Sequence, residues 1–586
     1  MTIKNFKLLT SACVISAAVF SLSTISFNGD VSLIAFPISL IFTAFLAFSS
    51  IKKLFQEENL AFIAVTRTLL QYLPYVLLIA FVFRRAGNSG TAFALDFVSV
   101  FFWITTSVLV LVLLHFLNPK KIQNVSGEWK KYVDSKLDKA AIAKLPFGKR
   151  FVRETLSWVD ALVQAVFMVL LLNIFIVQLY EIPSESMVPE FLIKDRVVVF
   201  KTLSGPKFPL SKIGLPYFKD YDRGDIVVFR NPHYSDDRKS EVRTFLSQLV
   251  YMCTLTKVNL NVEEDGNPKA DPLVKRVCGV GGEQLMMQDG VLYSRTVKNP
   301  EFKPVEADSK WAAWNLNSVR PSLKKGIQMI PLSENDYESM MKFEEMRRNY
   351  DVEEAKTESK KIASEFQKIY SSYNISRTSA YAPDENALNE LQLFSKNEAF
   401  TVQLLSSTNG SLWFTDFMTD WTNSQPEFNG DLYSEANYKL NLMIKMTLGK
   451  IVVQNARLIA SGKEQKSLFV DSEKIKLIEE AELEHMYVYL LDRRNMPIFP
   501  KNDAEGNPTY IPENSYFMMG DNRFNSLDMR HSYDNWITKI SPEDRFSVTY
   551  FTDMDPQYVD RSKMLGNTSY RFWPVTRAGK PGLTGK

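Results

Sequence analysis

At 586 residues the chain is too long for one ordinary domain, so a membrane part, a second folded part and at least one substantial insertion are expected. Its 69 basic and 66 acidic residues leave a formal net charge of +3, which offers no chain-wide footprint for nucleic acid. Three cysteines without C-x-x-C spacing (Cys13, Cys253, Cys278) and four scattered histidines argue against a disulfide framework or a zinc site. A single Cys253 to Cys278 bridge stays open, and no metal or other cofactor is expected.

The apolar residues, 46% of the chain, are unevenly spread. Apolar stretches long enough to cross about 30 Å of hydrocarbon fall near residues 7–27, 31–50, 60–83, 97–117 and 158–179. Arg67 and Gln71 interrupt the third, so within a span they should face other helices or lie near an interface. Lys4, Lys7, Lys52, Lys53 and the basic stretch from Lys120 to Arg153 fall on one side if all five segments span and the N-terminus is cytoplasmic. Only Arg84 and Arg85 fall on the other side, and everything after Tyr180 is then outside. A removable targeting signal is the rival reading of the first segment, but residues 21–27 hold no A-x-A-like site and a second span follows at once.

Next come Glu181-Ile182-Pro183-Ser184-Glu185-Ser186-Met187-Val188-Pro189 and the strand-like Arg196-Val197-Val198-Val199-Phe200. Two prolines fix their own φ and bias their predecessors away from helix, giving a rigid exit from the bilayer. Alone this is a weak signal. Three more segments follow in order: Tyr221-Asp222-Arg223-Gly224-Asp225-Ile226-Val227-Val228-Phe229, then Val274-Lys275-Arg276-Val277-Cys278-Gly279-Val280-Gly281-Gly282-Glu283, and finally Gly520-Asp521-Asn522-Arg523-Phe524-Asn525-Ser526-Leu527-Asp528-Met529-Arg530. Together with the terminal Arg571-Phe572-Trp573-Pro574-Val575-Thr576-Arg577 they resemble the signature boxes of type I signal peptidases. The strong motifs cover only about 100 residues.

A serine hydroxyl needs a base, and a lysine serves as one only when burial in an apolar setting keeps it neutral. The resemblance implies Ser186 as nucleophile and Lys275 as general base. It implies an oxyanion hole from the Ser184 hydroxyl and the Ser186 backbone N–H, and a hydrogen bond from Ser526 that orients the lysine. Asp521, Arg523, Asp528 and Arg530 match charged positions near the site and read as scaffold ion pairs. Glu185, Glu190, Gly281, Phe524 and Met529 depart from the residues usual in the family, which puts pocket shape and polarity in doubt more than the reaction.

Residues 233–271 and 300–505 interrupt this frame. In the larger segment, residues 334–374, 384–395 and 431–461 read as helix and 399–406 as a strand. It is expected to be an accessory, mainly helical elaboration, with recognition of a partner or substrate as a further role. The implied architecture is a multi-span helical membrane region (1–180, with a basic cytoplasmic loop at 118–157), followed by a mostly antiparallel β catalytic domain outside the membrane (181–299 and 506–586). A large α+β insertion (300–505) interrupts that domain. The implied activity is cleavage of signal peptides from exported preproteins after small-residue sites, at a bacterial inner membrane, with the lipid bilayer and the secretion machinery as further partners. The rivals are a catalytically silent membrane scaffold that binds exported proteins and a Ser/Lys peptidase of narrow substrate range.

Overall fold

The computed structural model describes residues 2–27, 29–87, 93–137, 146–234, 237–254, 258–263, 265–383, 395–424, 426–462 and 470–582. The chain divides into two compact units. The first comprises Met1–Leu179, Val198–Lys219 and Tyr234–Asp271, and the second Tyr180–Val197, Asp220–His233 and Pro272–Lys586. Two stretches expected within the catalytic region, Val198–Lys219 and Tyr234–Asp271, thus belong to the first unit.

Among the described residues the first unit has five helices long and apolar enough to cross a membrane: Ile3–Ser23, Val31–Gln56, Phe62–Ala86, Phe93–Phe116 and Phe147–Phe175. The second of these ends in a π-helical stretch, Phe48–Gln56. Their shared core includes Phe6, Cys13, Phe20, Leu73, Leu77 and Leu113, joined by Phe208 and Ile213 from the loop at 198–219. Arg84 and Arg85, which break the expected charge bias, are buried. Arg84 pairs with Asp96 and donates to the Ser23 carbonyl at 2.7 Å, while Arg85 Nε lies 3.5 Å from the same carboxylate. Two basic residues sharing one carboxylate weigh less in a charge count than two free ones. Arg67 does not face other helices; it is exposed, in the second turn of Phe62–Ala86, and Gln71 is half-buried.

The strands of the sheets are β1 (Val177–Glu181), β2 (Arg196–Phe200), β3 (Ile226–Phe229), β4 (Leu273–Gly279), β5 (Glu283–Gln288), β6 (Val291–Thr296), β7 (Lys303–Pro304), β8 (Met496–Phe499), β9 (Ser515–Met519), β10 (His531–Lys539), β11 (Thr549–Met554), β12 (Val559–Asp560) and β13 (Met564–Trp573). β1 and β2 straddle the division between the units. Wholly inside the second unit, β13, β3, β4, β9 and β12 lie side by side in that order, each pair antiparallel. Every residue of β3, β5 and β9 is buried, and the apolar run of β3 is of the kind covered on both faces. A second sheet runs β7-β6-β5-β8, and β10 and β11 form a hairpin.

The insertion is helical. Glu334–Arg348 and Val352–Ser372 begin at Ser333 and Asp351, whose side chains accept backbone N–H groups of the first turn. Val352–Ser372 buries Ala355, Ser359, Ile362, Ala363 and Phe366, the spacing of one helical face. Residues 399–406, expected as a strand, lie in the helix Asn397–Ser406. Phe400, Thr401 and Val402 suggest a strand by residue type, but burial of Asn397, Phe400, Thr401, Leu404 and Leu405 follows the helical period, which tertiary packing rewards. The candidate helix at 384–395 lies almost wholly outside the described residues.

The helix Leu432–Ala460 runs through the middle of this core, which also takes in Ile540, Val548 and Tyr550 from the hairpin and its turn. Lys445 on that helix is fully buried, 2.6 Å from Asp544, and lies over the Phe417 ring at 4.6 Å. Asn441 also donates to Asp544, at 2.8 Å. Asp544→Ala leaves the Lys445 ammonium buried without its counter-charge and is expected to destabilise the fold by about 3–5 kcal/mol. Denaturant midpoints should show this loss, with most of it recovered when Lys445→Met is added.

Candidate active site

Lys275 sits in the interior of the sheet, on β4, opposite Val227 of β3. Next to it Arg276 pairs in register with Met519 of β9. Successive residues of a strand point to opposite faces, so the lysine and the arginine serve different surroundings. Only 3% of Lys275 is exposed. Burial pushes its amine down to about 8; the Asp528 carboxylate opposes this, Arg530 adds to it, and Asp521 opposes it.

The serine segment is a closed loop. Ile182 N–H donates to the Asp195 carbonyl at 2.8 Å and Lys194 N–H to that of Ile182 at 2.9 Å. Inside it, Val188 N–H bonds the Glu185 carbonyl at 3.0 Å. This loop presents the Ser186 Oγ 2.6 Å from the Lys275 Nζ. The Ser184 hydroxyl, exposed to solvent, lies 3.3 Å from the same oxygen. The two serines and the lysine named from sequence therefore meet around one atom.

The last box holds the loop from behind. Asn522 N–H donates to the Ser186 carbonyl and its amide to the Glu185 carbonyl, both at 3.1 Å. Gly520 makes the approach feasible, because a Cβ there would overlap the Ser186 carbonyl oxygen and the Ser526 hydroxyl. Ser526 departs from expectation. Its Oγ is buried beside Gly520 and has no hydrogen-bond partner, Lys275 included; the lysine amine meets Ser186. A buried hydroxyl left unpaired costs about 1–3 kcal/mol.

The charged residues of that box are all ion-paired. Asp521 grips the Arg276 guanidinium through both oxygens, at 2.7 and 2.6 Å, and Arg276 lies over Trp311 at 5.0 Å. Arg523 reaches Asp308 at 2.6 Å. Asp528 pairs with Arg530 at 2.8 Å and accepts the Gly520 N–H at 2.9 Å. Burial works to raise the Asp528 carboxyl, but the Arg530 guanidinium beside it holds it well below the usual carboxylate range. Cys278 is a free thiol that burial pushes up to about 12, while the side chain of Cys253 lies outside the described residues.

Several contributors were not singled out from sequence. Arg571 and Arg577, from the terminal motif, donate to the Glu190 carbonyl at 2.5 and 3.1 Å, and Arg577 also reaches Asp195 at 3.0 Å. The unusual Glu190 carboxylate lies 3.7 Å from Arg571 and 3.8 Å from Arg276, so its buried charge is matched. Met529 belongs to the sheet core, and Phe524 meets Trp314 edge-on at 5.2 Å. Asn522, Arg276 and the terminal arginines stood inside quoted motifs and were legible there. The partners of Glu185, the backbone amides of Gln328 and Met329, carry no side-chain signal.

The profile of the family described as signal peptidase, peptidase S26, matches residues 155–357 and 449–573, more than half of the chain, and takes in the serine loop, β4 and the last box. Signal peptidase I of Haemophilus influenzae is 24% identical over 204 residues, which are 34% of this chain and 56% of that protein. Signal peptidase I of Buchnera aphidicola subsp. Baizongia pistaciae is 40% identical over 65 residues, 11% of this chain and 21% of that protein. That of Buchnera aphidicola subsp. Schizaphis graminum is 40% identical over 76 residues, 12% and 23% respectively. The chain thus spans about half, or less, of the length of these relatives. With its matched blocks enclosing the serine loop and β4, the chain belongs to the signal peptidase family, peptidase S26.

Proposed function

We propose that this protein is a membrane-bound signal peptidase that hydrolyses one peptide bond of an exported preprotein after a small-residue, A-x-A-like site, with Ser186 as nucleophile and Lys275 as base. The observation that carries this reading is the 2.6 Å approach of the Lys275 amine to the Ser186 hydroxyl in a setting that leaves the lysine almost no solvent. The neutral amine takes the Ser186 proton as Oγ attacks the scissile carbonyl carbon. The Ser186 N–H and the Ser184 hydroxyl steady the oxyanion, and the ammonium then protonates the leaving amine. Water, activated by the same lysine, releases the acyl group from Ser186. An extended signal-peptide end adding to a strand edge supplies backbone hydrogen bonds, and shallow pockets select small side chains.

The five long apolar helices support a multi-pass anchor. The basic stretch from Lys120 to Arg153 supports a cytoplasmic loop, with the catalytic unit on the outer side of a bacterial inner membrane. Its partners are then the signal peptides of translocated preproteins, the lipid bilayer and the secretion machinery. The proposed division is 1–180, 181–299 with 506–586, and 300–505, except that Val198–Lys219 and Tyr234–Asp271 group with the apolar helices.

Ser186→Ala and Lys275→Ala are each expected to lower preprotein processing by at least about 10³-fold while leaving membrane insertion intact. Processing of a precursor by either purified variant at the wild-type rate rejects the dyad.

The base must be neutral to act, so the rate is expected to rise with pH through a midpoint near the depressed lysine value, about 8. A rate that stays flat from about pH 5 to 9 contradicts this.

The same burial costs stability. An unfolded lysine titrates near 10.5 and this one at about 8; between those values the unfolded chain binds more protons, so stability rises with pH there, and below about pH 8 the whole penalty is present. Lys275→Met is therefore expected to stabilise the protein by about 2 kcal/mol near pH 7, an advantage that shrinks through the alkaline window in thermal unfolding.

A further inference from the structure

Glu185 stands between the two serines, where a small residue is usual, and only 6% of it is exposed. Its carboxylate accepts the backbone N–H of Gln328 and, at 3.1 Å, that of Met329. Two N–H donors converging on an anion make the strong, charge-assisted kind of hydrogen bond. The surrounding contacts act together with this clamp. Val188 and Leu192 of the serine loop form a small core with Ala313 and Leu316, against which Val319, Leu323, Ile327 and Ile330 pack. At the other end of this strap, Ala313 N–H donates to the Asp521 carbonyl at 2.7 Å, and Arg523 N–H donates to that of Ala313 at 3.2 Å. Residues 313–330 are thus tied to the last box at one end and to the residue before the nucleophile at the other.

We propose that Glu185 is a positioning residue for the reaction, its carboxylate clamping the Gln328 and Met329 amides so that the strap 313–330 fixes where the Ser186 hydroxyl points. This rests on the reading of Ser186 and Lys275 as a peptidase dyad. The argument is one of direct linkage. Glu185 shares a peptide bond with Ser186, and its own carbonyl is held by Asn522 and Val188. With the backbone anchored there, releasing the carboxylate lets the loop rotate about that anchor and carries Ser186 Oγ away from the lysine. The clamp touches no reacting atom, so it acts on the fraction of time the hydroxyl is aligned, which is read in kcat rather than KM.

The test uses the full chain in detergent, with hydrogen exchange read on peptides that contain Gln328 and Met329 and with kcat and KM measured on a preprotein bearing an A-x-A site. In Glu185→Ala, exchange protection at Gln328 and Met329 should be lost and kcat should fall by about 10²-fold, with KM within about twofold. Glu185→Gln keeps one carbonyl acceptor and the shape, so it should fold even if the alanine variant does not, and should restore kcat to within about tenfold of wild type. The exchange arm needs no turnover and so separates the two claims. A wild-type chain that cleaves nothing overturns the peptidase reading. Wild-type cleavage combined with retained protection, with unchanged kcat in Glu185→Ala, or with a glutamine variant as impaired as the alanine one, overturns the clamp.

Discussion

The site depends on one amine kept away from water. Lysine is a strong base that is normally charged, and chiefly the cost of burying that charge, with Arg530 adding to it, brings Lys275 down to about 8. Lys275 lies on an interior strand, β4, between β3 and β9, and only 3% of it is exposed. The serine loop completes the enclosure and supplies the hydroxyl that the amine addresses.

The surrounding charges follow from the same constraint. Carboxylates near an amine stabilise its charged form, and Asp528 and Asp521 both work in that direction. Each is gripped by a guanidinium, Asp528 by Arg530 and Asp521 by Arg276. Their fields at the lysine are thereby offset, and desolvation decides the outcome. The ion pairs also set geometry, since the box that carries them places Asn522 and Gly520 against the backbone of Ser186. Electrostatic and steric tasks fall on the same short stretch, which accounts for its dense charged motif.

Most of the chemistry was legible because it resides in side chains at fixed spacing. The serines, Lys275 and the charged box are named through the resemblance of their ordered motifs to those of type I signal peptidases, and the apolar lengths mark five long helices. What escaped was settled by tertiary packing. Residues 399–406 are β-branched and aromatic enough to suggest a strand, yet the partners available along Leu432–Ala460 reward a helical face. Ser526 matches a lysine-orienting serine by resemblance, but its hydroxyl finds no hydrogen-bond partner beside Gly520. Glu185 was visible only as an oddity, since its partners are main-chain amides.

The hairpin β10–β11 shares its core with helices of the insertion, and 245 residues separate Arg276 from its partner Asp521. A ribosome therefore delivers Ser186 and Lys275 long before it delivers β9 and the last box. A lysine on an unfolded chain titrates near its ordinary value of 10.5, so the Lys275 amine stays charged until folding buries it. The low pKa of this amine is thus a property of the finished fold, assembled from segments far apart along the chain.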